Sequence, residues 1–287
     1  MIHKATPLSN AVDACIYFFL SLVIIIVFVP FINILASSLA TNAEIIQSPF
    51  LLWPKEISFE AYKYVFTTST TTISALKVSA GITIAGTAVN MLLTTITAYA
   101  LSFRMMYGRK YILLAIIFTM LFNPGMIANY LTVKSYGFID SYSALILPGA
   151  INVFYLLLMK NFFQEIPEEL REAATIDGCS FFRIFVMIFL PLSTPALATF
   201  TLFYAVDRWN AFFDAIMYIS TPEKWPITVL LRQIVLLAQS SGSEDIFISP
   251  VSLRMATIII SLLPIVGIYP FLQRYFQSGL MVGSIKG

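Results

Sequence analysis

Two carboxylates, Asp207 and Asp214, bracket a short polar and aromatic stretch, Arg208-Trp209-Asn210-Ala211-Phe212-Phe213. As a catalytic pair they would have to share a water or a substrate between them. Nothing else in the chain supplies partners for such chemistry. The single histidine, His3, stands in the N-terminal tail, so a Ser-His or Cys-His catalytic pair would require that tail to fold back onto the chain. Cys15 and Cys179 provide neither a disulfide framework nor metal-ligand spacing. A G-x-x-x-x-G-K-[ST] phosphate loop is absent, so any nucleotide must be held by another polypeptide. These residues suit recognition and passage better than bond-making. No enzyme activity and no cofactor or metal in this chain is the expectation.

The elements that position them are set by composition. Of 287 residues, 59% are apolar and 11% charged, against roughly 25% charged in a soluble domain. Cutting the chain at every Asp, Glu, Lys and Arg leaves six uncharged windows of 19 or more residues: 14–43, 78–103, 111–133, 141–159, 184–206 and 255–273. Each is long enough for a membrane-crossing helix. The expected fold is an all-α membrane domain over 1–287, with spans at about 14–40, 76–103, 111–133, 141–160, 184–207 and 255–274. The first window is read as a span rather than a signal peptide, because it is too long and ends in no small-residue cleavage site. A net charge of +2 gives no nucleic-acid surface.

Six spans put both termini on one side. Segments 1–13, 104–110, 160–183 and 274–287 carry nine Lys/Arg in 58 residues, against eight in 89 for 44–77, 134–140 and 207–254. The positive-inside rule therefore predicts cytoplasmic termini. The outside segment near 44–72, with Pro49, Trp53, Pro54 and Phe59, is expected to be a folded cap; that at 220–252 should contain a short helix over 227–239.

One inside loop carries most information. In Glu165-Ile166-Pro167-Glu168-Glu169-Leu170-Arg171-Glu172-Ala173-Ala174-Thr175-Ile176-Asp177-Gly178, proline suits the first helical position, two acids complement the helix N-terminus, and Gly178 can end the helix left-handed. Leu170, Ala173, Ala174 and Asp177 then share a face on which small side chains permit close approach. By itself this is also what a surface connector looks like. The pattern continues, however, through nine residues after Gly178 to Ile188-Phe189-Leu190-Pro191. With E, A, A, G, I, L and P all in place, it resembles the EAA loop of binding-protein-dependent ABC importer permeases. Chance agreement at seven positions is on the order of one in a billion per starting point.

The resemblance covers nearly the whole chain and is nearest the maltose-type carbohydrate permeases. Further signals are Pro30, Trp209-Asn210, the tail Pro270-Phe271-Leu272-Gln273-Arg274-Tyr275-Phe276, and its ending Gly279-Leu280-Met281-Val282-Gly283-Ser284-Ile285-Lys286-Gly287. The ending and the stretch from Trp209 to Asp214 resemble the complex oligo- and polysaccharide branch. The resemblance implies a type I importer permease in the bacterial plasma membrane, forming half of a pore for oligosaccharides or polysaccharide fragments. Implied partners are a second homologous permease, two ATP-binding cassette subunits that hold ATP and magnesium, an extracytoplasmic solute-binding protein, the carbohydrate and membrane lipid. It makes the loop the coupling helix, with Glu169, Arg171, Glu172, Ala173, Ala174, Asp177 and Gly178 at the ATPase contact. The loop is shared across importer classes, so a peptide or amino-acid permease is the alternative. An ion-coupled carrier would want ionisable groups within the spans, and the six windows hold none.

A polar solute needs polar groups along a shared route. Candidates are Asn123, Asn152, Tyr155, Asp207, Arg208, Trp209, Asn210 and Asp214. Each also has a plain alternative: Asp207, Arg208 and Trp209 in an interfacial belt, the asparagines in helix-to-helix bonds. Lys77 could snorkel to the membrane edge or meet an anionic sugar. The small residues Gly81 and Ala85 are expected to pack against another span or the partner permease.

Overall fold

A computed structural model describes residues 7–48, 50–67, 70–240 and 250–279, and within them regular structure is helical, without strands. The elements are α1 (Pro7–Leu39), α2 (Asn42–Gln47), α3 (Glu60–Thr67), α4 (Thr70–Ser102), α5 (Arg109–Leu121), α6 (Gly125–Ser135), α7 (Ser143–Ile146), α8 (Val153–Glu165), α9 (Glu168–Ile176), α10 (Phe181–Ile184), a π-helical stretch (Phe185–Phe189), α11 (Leu190–Leu192), α12 (Thr194–Asn210), α13 (Phe213–Tyr218), a 3-10 turn (Pro222–Lys224), α14 (Ile227–Ser240) and α15 (Pro250–Gly279). The last eight residues of the tail, like the polar stretch 241–249, lie outside the described residues. Contacts divide the chain into two units, Met1–Ile73 with Leu231–Leu263, and Ser74–Leu230 with Pro264–Gly287.

In the first unit, α1 offers its large apolar side chains outward along most of its length, as a lipid- or partner-facing helix must. Only its end is packed, where Ala36 and Ala40 meet Ile45 and Leu51. The segment after it is the folded cap expected. Asn33 Nδ2 donates to the Leu51 carbonyl at 2.9 Å, Ser38 Oγ and Tyr62 OH lie 2.7 Å apart, and the Lys55 N–H donates to Glu44 Oε1 at 2.8 Å.

Among the described residues three helices are long and apolar enough to cross a bilayer on their own, at Val12–Leu39, Thr71–Ser102 and Val251–Ile268. Two more candidates are bent pairs. Within window 111–133, α5 and α6 meet at 117°. Pro124 has no N–H and disfavours helical backbone at Asn123, while Gly125 follows at φ +83°. The stretches Phe181–Leu192 and Thr194–Asn210 meet at 84°, with the π-helical turn and Pro191 just before the bend. Window 141–159 departs furthest from a single helix. It opens between α7 and α8, where Pro148 precedes Gly149 at φ +66°, and α8 restarts with 13 residues capped by Asn152. By contrast Pro30 and Pro264 are carried inside unbroken α1 and α15.

The second unit has two cores. One joins the ends of α4, α8 and α9 with the α10–π segment and α12, through Ala98, Tyr99, Phe163, Ala174, Phe189 and Phe200. The other joins α4, α6, α7, α13 and α14 through Ile82, Val133, Leu145, Ala215, Tyr218 and Val229.

Candidate functional site

The loop helix α9 is an exposed rod with a fixed base. Pro167 stands just before the first turn as its N-cap, at φ −53° and ψ 132°, one place earlier than local rules suggested. At the other end Gly178 adopts φ +80°, with Gly178 N–H donating to the Thr175 carbonyl at 3.0 Å and Cys179 N–H to the Ala174 carbonyl at 2.9 Å. This is the six-to-one closure that a left-handed glycine permits.

The two adjacent alanines have different jobs. Ala174 is only 8% exposed and packs into the first core, so it faces the protein rather than a partner. Ala173 is open, as are Glu169, Leu170, Glu172 and Asp177. Arg171 also turns inward. It pairs with Glu168 and lies 5.2 Å over the Phe103 ring, so its charge is engaged within the chain. Sequence reasoning missed Ile176, which ends α9 with 86% of its surface exposed. A bare isoleucine beside two small or acidic positions is the signal that was available.

Beneath α9 the backbone is tied down. Tyr99 OH donates to the Phe181 carbonyl at 2.9 Å, and Gln164 Nε2 to the Ser102 carbonyl at 3.2 Å. Arg109 Nε reaches the Leu101 carbonyl at 2.8 Å, satisfying the C-terminal end of α4. Ala174 of α9 thus sits on a core whose helices α4, α8 and α10 are bonded to one another.

The candidate route residues separate into three groups. Arg208 is half-buried and turned into backbone carbonyls. Its guanidinium donates to the carbonyls of Leu145 at 2.5 Å and Ile146 at 3.1 Å, to Asn90 Oδ1 at 3.1 Å, and at 3.4 Å to Gly149. Those carbonyls are the ones freed where α7 stops, so the arginine replaces the helical bonds that the break removes. It crosses α4 at Gly86, where a Cβ would stand 3.2 Å from Arg208 Cδ. Asn90, 1% exposed, is the missed member of this set. A lone amide within an apolar window is its signal.

A second group is spent on internal bonds. Asn152 Oδ1 caps α8, accepting from the N–H groups of Phe154 and Tyr155. Its own N–H donates at 3.1 Å to Tyr204 OH, which also lies 2.7 Å from Thr94 Oγ1. Tyr155 OH donates to Asp207 Oδ2 at 3.0 Å. Asn123 Oδ1 accepts from Gly125 N–H at the α5–α6 bend, apart from the rest. Trp209 is 7% exposed, so little of its ring is open within this chain. Asn210 is exposed, as is Lys77.

Asp214 lines a cleft of about 510 Å³, with Asn129, Thr132, Tyr136, Gly149 and Tyr218. Burial, with Asp214 nearby, raises the Tyr218 hydroxyl above its ordinary value, keeping it a neutral group. The loop under this cleft is clamped by Asp140, itself at φ +59°. Asp140 accepts from Lys224 Nζ at 2.8 Å, from the N–H groups of Ser220 and Thr221, and from Thr221 Oγ1 at 2.6 Å. Lys224, followed by the two Thr221 bonds, holds its carboxyl well below the usual carboxylate range.

Comparison with known proteins agrees with this geometry. The family described as binding-protein-dependent transport system inner membrane component matches residues 107–282. The polygalacturonan/rhamnogalacturonan transport system permease protein YtcP of Bacillus subtilis is 47% identical over 281 residues, 96% of this chain and 98% of that one. Protein LplC of the same organism is 46% identical over 98% of this chain and 97% of its own length. Among solved structures, a bacterial ABC transporter involved in the import of the acidic polysaccharide alginate contains a chain matching at TM-score 0.90 and 28% identity, covering 95% of this chain and 99% of that chain. The all-helical architecture, the capped loop helix and these matches together place the chain in the family of binding-protein-dependent transport system inner membrane components, the permeases of ABC importers.

Proposed function

We propose that the chain is one of two permease subunits of an ATP-driven importer of oligosaccharides or polysaccharide fragments. The carrying observation is α9, an exposed helix whose base is locked into the core that joins α4, α8 and α12. A rigid knob of this kind can be moved as a unit by a partner and can drag the packed helices with it. Glu169, Glu172, Ala173, Ile176 and Asp177 form the face offered to an ATP-binding cassette subunit; Ala174, Arg171 and Gly178 hold that face in position.

The bilayer is crossed six times, with the bent pair α5–α6 and the interrupted pair α7–α8 each counted once, and both termini are cytoplasmic. A second homologous permease completes the pore. Gly81 supports this, since nothing lies within 4 Å of a Cβ placed there and the small face of α4 is open. ATP and magnesium are held by the two cassette subunits, and a solute-binding protein delivers the sugar from outside. Closure of the cassettes draws the coupling helices together and turns the spans outward; hydrolysis resets them. The sugar reading is supported by relatives whose names specify polygalacturonan, rhamnogalacturonan and alginate.

The test is purification of the chain from native membranes in mild detergent. Co-purification of a second permease and an ATPase, with hydrolysis stimulated by a sugar-loaded binding protein, is the expected result. Recovery of the chain alone, with no ATPase in any mild detergent, would overturn the assignment.

A further inference from the structure

The 510 Å³ cleft beside α13 is within the size range of small-molecule sites, and its lining has a definite chemistry. Asn129 and Thr132 stand one turn apart on α6, and Asp214 and Tyr218 one turn apart on α13. Tyr136 closes one side. Its ring is 71% exposed and is backed by Phe138 at a centroid distance of 5.9 Å, nearly parallel. Such a supported ring is a platform on which the C–H face of a pyranose can lie, while a carboxylate and an amide take its hydroxyls.

The sign of the lining decides which sugar. No lysine or arginine is among the cleft residues, and the single formal charge is the Asp214 carboxylate. Arg208 is not among the lining residues, although its guanidinium reaches the carbonyl of Gly149, which is. It donates into the carbonyls of Ile146 and Gly149 and offsets part of the Asp214 charge, which leaves that carboxylate as the one charged group in the lining itself. A hydroxyl is a donor that Asp214 can accept; a uronate carboxylate offers only acceptors and a repelling charge. The described residues also hold no group of three metal-ligating side chains, so a bridging divalent cation has no cage here.

From this lining we infer that the cleft bounded by Asn129, Thr132, Tyr136 and Asp214 is a subsite for a neutral, hydroxyl-bearing sugar unit and that it rejects a uronate. This rests on the importer reading above and adds a specificity to it. Arg208 is then a positioning residue that shapes the cleft wall without touching the sugar.

Two probes of one linkage isolate the charge: radiolabelled tetragalacturonate, and the same tetrasaccharide with every carboxylate reduced to a hydroxymethyl group. Binding is measured on the assembled importer in lipid nanodiscs, without the binding protein. The wild type should bind the neutral probe about tenfold more tightly than the acidic one, and Asp214→Ala should weaken the neutral probe about tenfold while leaving the acidic one within about twofold. Tyr136→Ala, at an exposed ring, should also weaken the neutral probe; it guards against the Asp214 variant failing through altered packing. Equal weakening of both probes by Asp214→Ala, or a wild-type preference for the acidic probe, would overturn the subsite. If the same preparation hydrolyses ATP in response to a loaded binding protein yet shows no preference, the subsite alone fails. If it gives no such hydrolysis, the importer reading fails as well.

Discussion

The loop helix α9 and the cleft beside α13 belong to the same compact unit and were built by opposite means. At α9, twelve contiguous residues, 167–178, supply the cap, the charge pattern, the exposed face and the stop. At the cleft, each wall comes from a different part of the chain, and the bonds that hold it join residues 63 and 118 positions apart. The first is a part that can be moved without changing shape. The second owes its shape to long-range polar contacts and is open to change when those helices shift.

The sharpest way to break the comparison is at Ala174. Ala174→Glu places a carboxylate in the core beneath α9, where an unpaired charge costs several kcal/mol. Folded protein should be lost from the membrane. Normal accumulation, read by size-exclusion after mild solubilisation, would show that α9 is not anchored there.

Next in size is Arg208→Ala, which strips the α7–α8 break of its donors and leaves Asn90 without its buried partner. Bonds to a charged donor contribute about 1.5–3 kcal/mol each, less where water replaces them. A loss of about 2–3 kcal/mol is expected, seen as a fall of several degrees in melting temperature. Import of acidic and neutral sugars should fall in equal proportion. A selective loss for acidic sugars would place the guanidinium in the route instead.

Gly178→Ala tests the stop of α9. A Cβ there meets no neighbouring atom within 4 Å, so the cost is the left-handed backbone alone, about 1 kcal/mol. Insertion should be normal and coupling weakened, checked by ATP hydrolysed per sugar imported.

The smallest effect is at Asp140. Its carboxyl is depressed below the unfolded value of 3.8, so its stabilising contribution is in place above that pH and is lost as pH falls through the lower folded value. Stability attributable to the clamp should be flat between about pH 5 and 8. Asp140→Asn should lower the melting temperature slightly at neutral pH, and the gap to wild type should close only in strong acid.

These differences also explain what the sequence made legible. The turn at Gly178 and the exposed Ala173 follow from neighbouring residues, so local rules reached them; the division of labour between Ala173 and Ala174 required knowing what lies beneath. Pro148-Gly149 was visible in the fourth window, yet charge-free length outweighed it, and the helix broke because Arg208 from another helix satisfies the freed carbonyls. Trp209 was read by its type as a route or interfacial aromatic, and its helix buries it within this chain. Asn90, Thr94 and Tyr204 gave no spacing signal, because their partners are remote in the chain. Of the route candidates, Asp214 reached the cleft beside α13, and its neighbours Asn129, Thr132 and Tyr136 arrived there through the bend at Pro124.

The central claim is that the exposed face of α9 receives the ATPase. Ala173→Arg puts a long, charged side chain on that face and disturbs no buried contact. In vesicles containing the reconstituted importer and a loaded binding protein, this variant should assemble at wild-type levels while sugar-stimulated ATP hydrolysis and import both fall at least tenfold. Wild-type hydrolysis and import by the Ala173→Arg importer would contradict the account.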